Sequence, residues 1–327
     1  MLVYDLETRR TIVQIEGHDD EVNAVCYGDK SSPHILYSGS DDSTIKVWDR
    51  RSLGDGRPAG CFIGHTEGRV AVFQSSVHRL TVHAGVTYVD SKGDGRYVLS
   101  NGKDQRMKLW DLRKMAPTEK ADGGHRNPYR EPSFDYRSDR FEDYGYRGPH
   151  PDDCSVVTFR GHAVLNTLIR CHFSPPGSTD SRYVYSGSAD GSVYIYNLDS
   201  TLAKKIDVLA ATRNTRPKPS PEELQASYWG MRRGNAWDTC VRDVSWHPNA
   251  PVIAATAWNG YGQMWGTCTA HTWNDGLDED DADPPMGLRV DAKLNRMARA
   301  YGEEVPNPRR VREEGRFRRA AFDDDDA

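Results

Sequence analysis

LYSGSDDSTIKVWDRR, residues 36–51, returns in outline as VLSNGKDQRMKLWDLR at residues 98–113. Each copy contains a Trp-Asp pair that is followed by two more residues. Each copy also comes after a Gly-His pair, at Gly17-His18 and at Gly64-His65. Self-similarity of this kind is the signature of a repeat architecture, in which each repeat folds as one unit and packs on its neighbours. The chain is therefore expected to be an array of related units.

Four blocks share one frame when they are aligned on the aromatic residue that ends a strand. The first three blocks carry Asp six places and Ser ten places before this aromatic. The fourth block carries Asn259 and Ala255 before Trp265 and has no Gly-His pair. Every block contains three runs rich in β-branched and aromatic residues, bounded by Gly, Asp and Ser turns, which is typical of strands. An all-β fold follows from this pattern.

The predicted strands are the runs within each block, and the chain begins inside a block. Residues 1–5 and 11–16 are predicted as the last two strands of a first, half-complete unit. The strands predicted for the four blocks are 22–27, 35–40 and 44–49; 86–90, 97–100 and 107–111; 168–173, 183–187 and 193–197; and 241–246, 252–256 and 262–265.

This frame resembles the WD40 family over roughly residues 2–266, inserts excluded. The resemblance implies a WD40 β-propeller that is N-terminally truncated, with about four blades plus half a blade of an expected seven. In that family His, Ser, Asp and Trp of one blade form a buried hydrogen-bond chain, because a buried Asp and His cost several kcal/mol unless they pair. Recurrence in successive blocks favours this structural role over a catalytic Ser-His-Asp site. Carried over by position, the structural sets are His18, Ser38, Asp42 and Trp48; His65, Ser100, Asp104 and Trp110; and His162, Ser186, Asp190 and Tyr196.

An Arg stands two places after the Asp of each Trp-Asp pair, at Arg51 and Arg113. A surface Arg after Trp-Asp is common, so one instance is weak evidence. Since Trp-Asp ends the third strand of a blade, the two arginines are predicted at the same rim of neighbouring blades. A guanidinium there is able to bind carboxylates or carbonyls through two hydrogen bonds. The doubled motif therefore favours a partner-binding rim.

The doubled motif, with the order of the blocks over about residues 12–114 and 156–265, resembles the WD40-repeat factors associated with cullin-4 ubiquitin ligases. That resemblance implies a substrate receptor of a cullin-4 RING E3 ligase, which docks on a triple-propeller adaptor and presents an unknown protein target. The adaptor contact would comprise Asp49, Arg51, Asp111 and Arg113, and a propeller face with Arg170 and Arg242 would bind the target. The alternative is a non-catalytic WD40 scaffold of another nuclear or cytoplasmic assembly.

Three inserts interrupt the repeats within residues 1–266. A charged tail follows over residues 267–327. Residues 69–85 break the frame of the second block and are either a translated intron or a genuine loop. Residues 116–153 interleave Arg and Tyr, which suits stacking on RNA bases, but nearby acids almost cancel the charge and favour a solvated or partner-folding loop. Residues 210–237 are predicted to cap a propeller face, and the charged tail, 267–327, is predicted to be mostly disordered.

Bulk features bound the remaining functions. The net charge is −5, which gives no global basic field for nucleic acid. Signal-peptide, membrane-span, Gly-rich phosphate-loop and metalloprotease patterns are absent from the sequence, so we expect no enzyme, cofactor or membrane contact, and a nuclear and cytoplasmic location. One Cys-His pair, Cys268 and His271, lacks the second pair that a metal site needs. The six cysteines lack a CxxC pair and are expected to be free thiols, at Cys26, Cys61, Cys154, Cys171, Cys240 and Cys268.

Overall fold

The protein is all-β in this computed structural model, which describes residues 1–29, 33–53, 56–66, 85–122, 149–165, 167–214, 239–259 and 266–272. Within these residues the strands form five antiparallel sheets, one of two strands, three of four and one of three. We call them the half blade and the first to fourth blades, in chain order. The all-β, WD40-type architecture predicted from the repeat frame is confirmed.

Each sheet uses consecutive strands in sequence order, as propeller blades do. The half blade contains β1 (Leu2–Asp5) and β2 (Arg10–Gln14), and the first blade contains β3 (Val22–Tyr27), β4 (Ile35–Ser40), β5 (Ile45–Asp49) and β6 (Gly60–Phe62). The second blade contains β7 (Val86–Ser91), β8 (Tyr97–Gly102), β9 (Arg106–Asp111) and β10 (Val157–Phe159). The third contains β11 (Cys171–Phe173), β12 (Tyr183–Gly187), β13 (Ser192–Asn197) and β14 (Leu202–Asp207), and the fourth contains β15 (Thr239–Trp246), β16 (Val252–Asn259) and β17 (Gly266–Thr272).

Helices are few and short among the described residues. They are α1 (Thr118–Asp122), α2 (Pro176–Thr179) and α3 (Val208–Ala211), with a 3-10 turn at Leu112–Lys114. None of these described helices is long and apolar enough to cross a membrane.

One predicted strand is shorter in the structure, and another falls outside the described residues. The strand predicted at 168–173 is limited to β11, because the Arg170 N–H donates to the carbonyl of Arg242 in the fourth blade rather than to β12. The strand predicted at 262–265 falls at residues 260–265, outside the described residues. The third described strand of the fourth blade is β17, so this sheet extends to Thr272 and into the range assigned to a tail from residue 267.

Apolar side chains between successive blades form the core. Tyr37, Val47 and Trp110 belong to a buried cluster that joins the first and second blades. Leu99 and Tyr194 belong to one that joins the second and third, and a further cluster joins the third and fourth. The first strands of neighbouring blades, β3, β7, β11 and β15, pack side by side, as inner strands do around a propeller axis.

Antiparallel order places alternate turns at opposite ends of each blade. The turns after the first and third strands lie at one end, where β5 and β9 finish at Asp49 and Asp111. We call this end the rim. The turn after the second strand and the link from the previous blade lie at the other end, which we call the far end.

The first insert leaves and re-enters the second blade at one turn of the far end. The Thr66 N–H donates to Asp104, and the N–H of Lys103 donates to the carbonyl of Gly85. In the first blade the same two bonds are made by Asp19 and Glu21, with one residue between them. Residues 67–84 lie outside the described residues, and so does most of the insert predicted at 69–85.

The second insert, predicted at 116–153, begins beside β6 of the first blade and ends beside the residue that follows this strand. Ala116 exchanges two backbone hydrogen bonds with Cys61, and the Cys154 N–H donates to the carbonyl of Ile63. Most of this insert, at residues 123–148, lies outside the described residues. The same holds for residues 215–238 of the third insert, which is predicted at 210–237 to cap a propeller face, and for the tail from residue 273.

Candidate functional site

Two of the predicted polar sets form continuous hydrogen-bond chains. In the first blade His18 Nε2 lies 2.7 Å from Ser38 Oγ and His18 Nδ1 lies 2.6 Å from Asp42 Oδ2, while Trp48 Nε1 donates to Ser38 Oγ at 2.7 Å. The second blade repeats the arrangement. His65 lies 2.7 Å from Ser100 and 3.0 Å from Asp104, and Trp110 donates to Ser100 at 2.8 Å.

In the first two Gly-His pairs, a positive φ and close packing against the Trp of the same set leave little room for a side chain on the Gly. Gly17 and Gly64 have φ of +152° and +156°, which L side chains rarely adopt. A Cβ on Gly17 would lie 2.9 Å from the indole of Trp48, and one on Gly64 would clash with the carboxylate of Asp153 and lie 3.1 Å from the indole of Trp110. The spacing between Gly-His and Trp-Asp therefore reflects direct packing.

Both carboxylates of these sets are held ionised in the fold. Burial raises the pKa of Asp104, but the charge of His65 and its hydrogen bond, together with Arg106 and Lys108, outweigh burial and lower the pKa to about 2. Burial likewise opposes the hydrogen bonds from His18 and Thr44 at Asp42, and the pKa of that carboxyl is lowered. A buried, fully bonded carboxylate of this kind stabilises the blade and is not available as a catalytic base.

The third predicted set is brought together only in part. His162 Nδ1 lies 3.2 Å from the Tyr196 hydroxyl, but its Nε2 lies 3.0 Å from the Asn101 amide oxygen of the second blade. Ser186 accepts from Asn101 Nδ2 at 2.8 Å and does not bond His162. Asp190 accepts instead from Tyr194 and Lys205 at the blade surface. The prediction for Ser186 and Asp190 is therefore corrected.

A buried histidine without a carboxylate partner has different electrostatics. Burial lowers the pKa of His162 to about 4, against smaller raising effects of Asp104 and Asp190. His162 is therefore neutral near pH 7, with one ring nitrogen able to accept and the other to donate.

At the rim of the first blade, Arg51 pairs with Asp49. Its Nε donates to Asp49 Oδ1 at 3.0 Å and its Nη2 to Oδ2 at 2.8 Å, while the Arg51 backbone N–H also donates to Oδ1. These hydrogen bonds lower the pKa of Asp49 to about 2. The Arg51 side chain is 65% exposed, so the pair presents a fixed guanidinium to solvent.

The second blade repeats this pair with one addition. Arg113 donates from Nε to Asp111 Oδ1 at 3.3 Å and from Nη2 to Oδ2 at 3.0 Å, and its side chain is 67% exposed. Arg96, before β8, also donates to Asp111 Oδ2, at 2.9 Å and 3.2 Å. Arg51 and Arg113 thus both lie on the rim, in adjacent blades and at equivalent positions, and neither is buried in an internal ion pair.

The arginines predicted for a target-binding face lie elsewhere, at the first strands of the third and fourth blades. Arg170 precedes β11, donates to Asp243 Oδ2 at 2.9 Å and lies over the ring of Tyr88. Arg242 is exposed in β15, and its backbone carbonyl accepts from Arg170. Much of the charge of Arg170 is therefore already compensated.

The described residues offer no metal centre. Among them no group of three or more His, Cys, Asp or Glu side chains is arranged to hold an ion. Cys268 and His271 are three residues apart in β17, so they point to opposite faces of the sheet. All six cysteines are free, and Cys61, Cys171 and Cys240 are buried.

Comparison with known proteins agrees with the repeat frame. The model of the WD domain, G-beta repeat, matches residues 9–49, 74–111 and 153–197. The chain therefore contains WD40 repeats. A repeat frame is in line with the architectural role of the His-Ser-Asp sets, which recur in successive blades.

The chain is similar to curated relatives from several organisms, of which three follow. It is 39% identical to the LEC14B protein of Lithospermum erythrorhizon over 80% of this chain and 46% of that protein. It is 38% identical to the LEC14B homolog of Prunus armeniaca over 80% of this chain and 45% of that protein. It is 36% identical to the DDB1- and CUL4-associated factor 11 homolog of Caenorhabditis elegans over 84% of this chain and 39% of that protein. The chain thus spans less than half the length of these relatives.

Sequence reasoning missed two polar groups. Arg96 lies outside the repeated motif, although its position before a predicted strand and opposite Trp-Asp would have identified it. Lys108 is 1% exposed and bonds Asp153, Ser155 and Thr158, which connects β9 to the end of the second insert. The sequence signal that could have identified Lys108 is a Lys two places before each Trp-Asp pair, within a strand predicted to be buried, at Lys46 and again at Lys108.

Proposed function

We propose that this WD40-repeat protein is a substrate receptor of a cullin-4 ubiquitin ligase. In this role it docks on the adaptor through Asp49, Arg51, Asp111 and Arg113 and presents a protein target, without performing chemistry itself. We include the nuclear and cytoplasmic location in this proposal. The relatives whose name contains DDB1 and CUL4 support it, and we take DDB1 as the adaptor.

One observation carries the proposal. Two exposed guanidiniums, each fixed by a carboxylate two residues earlier, stand at equivalent rim positions of adjacent blades. Each Arg is bonded through Nε and one Nη, so its orientation is set before a partner arrives. Preorganisation of this kind lowers the side-chain entropy lost on binding. The remaining N–H donors of each guanidinium are suited to carboxylates or carbonyls of a protein partner.

The test is binding of the full chain to purified DDB1 after Arg51→Ala together with Arg113→Ala. We expect the affinity to fall by more than about a hundredfold, because exposed arginines at interface centres carry much of the binding energy. The control, Arg170→Ala with Arg242→Ala, removes two guanidiniums away from the rim and should leave this affinity unchanged. Unchanged DDB1 binding by the rim double variant, with its melting temperature preserved, would favour the scaffold alternative.

A further inference from the structure

A basic residue stands immediately before the second strand of three successive blades, across from the end of the third strand. In the second blade the N–H of Leu112 donates to the carbonyl of Arg96 at 3.0 Å, and in the first blade the N–H of Arg50 donates to that of His34 at 2.8 Å. Strand register makes these positions equivalent. The residues at this position in the three blades are His34, Arg96 and Arg182.

Only in the second of these three blades does that residue complete a two-guanidinium cluster. Arg96 Nη2 and Arg113 Nη2 donate to the same oxygen, Asp111 Oδ2, at 2.9 Å and 3.0 Å. Asp111 is 6% exposed, whereas Arg96 is 40% exposed and Arg113 67%. Solvent therefore meets the two guanidiniums and not the carboxylate that holds them.

The charges of the two rim sites differ as a result. Asp49 is matched by the single guanidinium of Arg51, whereas Asp111 is shared by Arg96 and Arg113, which leaves one positive charge in excess. The Arg96 guanidinium also lies over the ring of Tyr97, 4.5 Å from its centroid, which restrains the side chain. Two restrained guanidiniums with unused donors form a site for one further carboxylate.

The third blade supplies an internal comparison. Asn197 takes the place of the rim Asp and Asp199 that of the rim Arg. Arg182 lies over the ring of Tyr183, as Arg96 lies over Tyr97, but its Nε donates to the carbonyl of Thr179. The stacked Arg before the second strand is therefore shared by both blades, while the carboxylate-held pair belongs to the second.

We propose that Arg96 and Arg113 together bind a carboxylate side chain of the adaptor, so that the second blade provides the stronger half of the contact. This inference rests on the proposed receptor function. It adds Arg96, a residue outside the Trp-Asp-x-Arg motif, to the interface and names the chemical group that it recognises.

The experiment measures the dissociation constant of the full chain for purified DDB1 at several salt concentrations. Arg96→Gln should weaken binding about tenfold and reduce its salt dependence, because one charge-assisted contact is lost. Arg96→Lys keeps the charge but not the planar fork, and should weaken binding about threefold. The matched control Arg182→Gln removes the same stacked Arg from the third blade and should leave the constant unchanged. Melting temperatures check that each variant is folded.

The outcomes separate this inference from the receptor function. If Arg96→Gln and Arg96→Lys both bind like the wild type while the Arg51 and Arg113 double variant loses binding, the two-guanidinium site is overturned and the receptor function stands. If Arg182→Gln weakens binding as much as Arg96→Gln, the effect belongs to stacking before the second strand and the proposed site is again overturned. If the double variant also binds normally, the receptor function itself fails.

Discussion

The aromatic residue at the end of the third strand decides which polar groups meet inside a blade. The indole N–H of Trp48 and of Trp110 ends beside a Ser hydroxyl, which in turn reaches the His of the same blade. The phenol of Tyr196 extends instead to His162 and to the carbonyl of Arg160. His162 then turns its other nitrogen to Asn101 of the neighbouring blade. Where Tyr replaces Trp at the end of the third strand, the buried His therefore forms hydrogen bonds to a neighbouring blade as well as within its own blade.

The intact network of the second blade is predicted to be worth more than the rewired one of the third. Ser100→Ala leaves a buried indole N–H and an imidazole nitrogen without their partner, and should lower the free energy of unfolding by about 2–4 kcal/mol. Ser186→Ala is the matched control, because Asn101 Nδ2 keeps its hydrogen bond to the carbonyl of Ile169 at 3.3 Å. This substitution should lower the free energy of unfolding by about 1 kcal/mol. Urea unfolding measures both, and equal losses would contradict this ranking.

At this scale the sequence predicts the Trp-containing sets because residue type and spacing repeat together. It does not predict the hydrogen bonds of the third set, because Ser186 and Asp190 have the expected residue types and spacing but their side chains bond other groups. Asp190 is satisfied by Tyr194 and Lys205 on its own sheet, a contact that no spacing rule includes. Arg96 was missed for the opposite reason, since its role depends on strand pairing rather than on a repeated letter.

The first strands of the second, third and fourth blades are joined by an ionic network. His172 of β11 lies 2.9 Å from Asp243 of β15 and 3.7 Å from Asp90 of β7. Arg170 also donates to Asp243. Burial lowers the pKa of His172, but the hydrogen bonds and charges of Asp243 and Asp90 outweigh burial and raise the pKa to about 9. Three sheets are thus connected through one protonated imidazole.

This network predicts a loss of stability in alkali. Because the pKa of His172 is higher in the folded chain than the ordinary 6.5, its contribution is fully present below pH 6.5 and is lost as the pH rises through about 9. The loss should be of order 3 kcal/mol. Chemical unfolding between pH 6 and 10 measures it. His172→Gln should be less stable at pH 6 and should lack this alkaline slope, and an unchanged slope in that variant would contradict the assignment.

Element boundaries were predictable where apolar alternation is strong. The predicted strands of the first two blades agree with β3–β5 and β7–β9 to within two residues, because buried alternate side chains fix their register. β17 (Gly266–Thr272) was missed because its sequence, GTCTAHT, contains few large apolar residues. Its place is set by pairing with β16, from Trp258 with Gly266 to Val252 with Thr272, which no local pattern records.

Across the molecule, side chains of successive blades bond one another, whereas the described ends of the first insert meet at one turn. Lys103 of the second blade bonds both oxygens of Asp41 in the first, at 2.7 Å and 2.8 Å. Asn101 and Gln105 of the second blade bond groups of the third. The first insert, by contrast, begins and ends on the turn that contains Lys103 and Asp104. These inter-blade contacts are made by residues outside the range predicted as the first insert.

Removal of residues 69–85 is predicted to leave the second blade intact. The shortened chain joins Thr66-Glu67-Gly68 to Val86 and so repeats the Asp19-Asp20-Glu21-Val22 link of the first blade. Since a shorter closed loop costs less chain entropy, the free energy of unfolding should stay within about 1 kcal/mol or rise. Denaturant unfolding and DDB1 affinity of the shortened chain test this. A loss of several kcal/mol would show that the segment supports the fold.

The position of that junction has a practical consequence. Thr66 and Gly85 stand at the far end of the second blade, whereas Arg96 and Arg113 stand at the rim. A fluorescent domain or purification handle grafted between Thr66 and Gly85 would therefore project away from the arginines. Such a chimaera would allow assembly at the opposite side to be followed in real time without a label on either terminus.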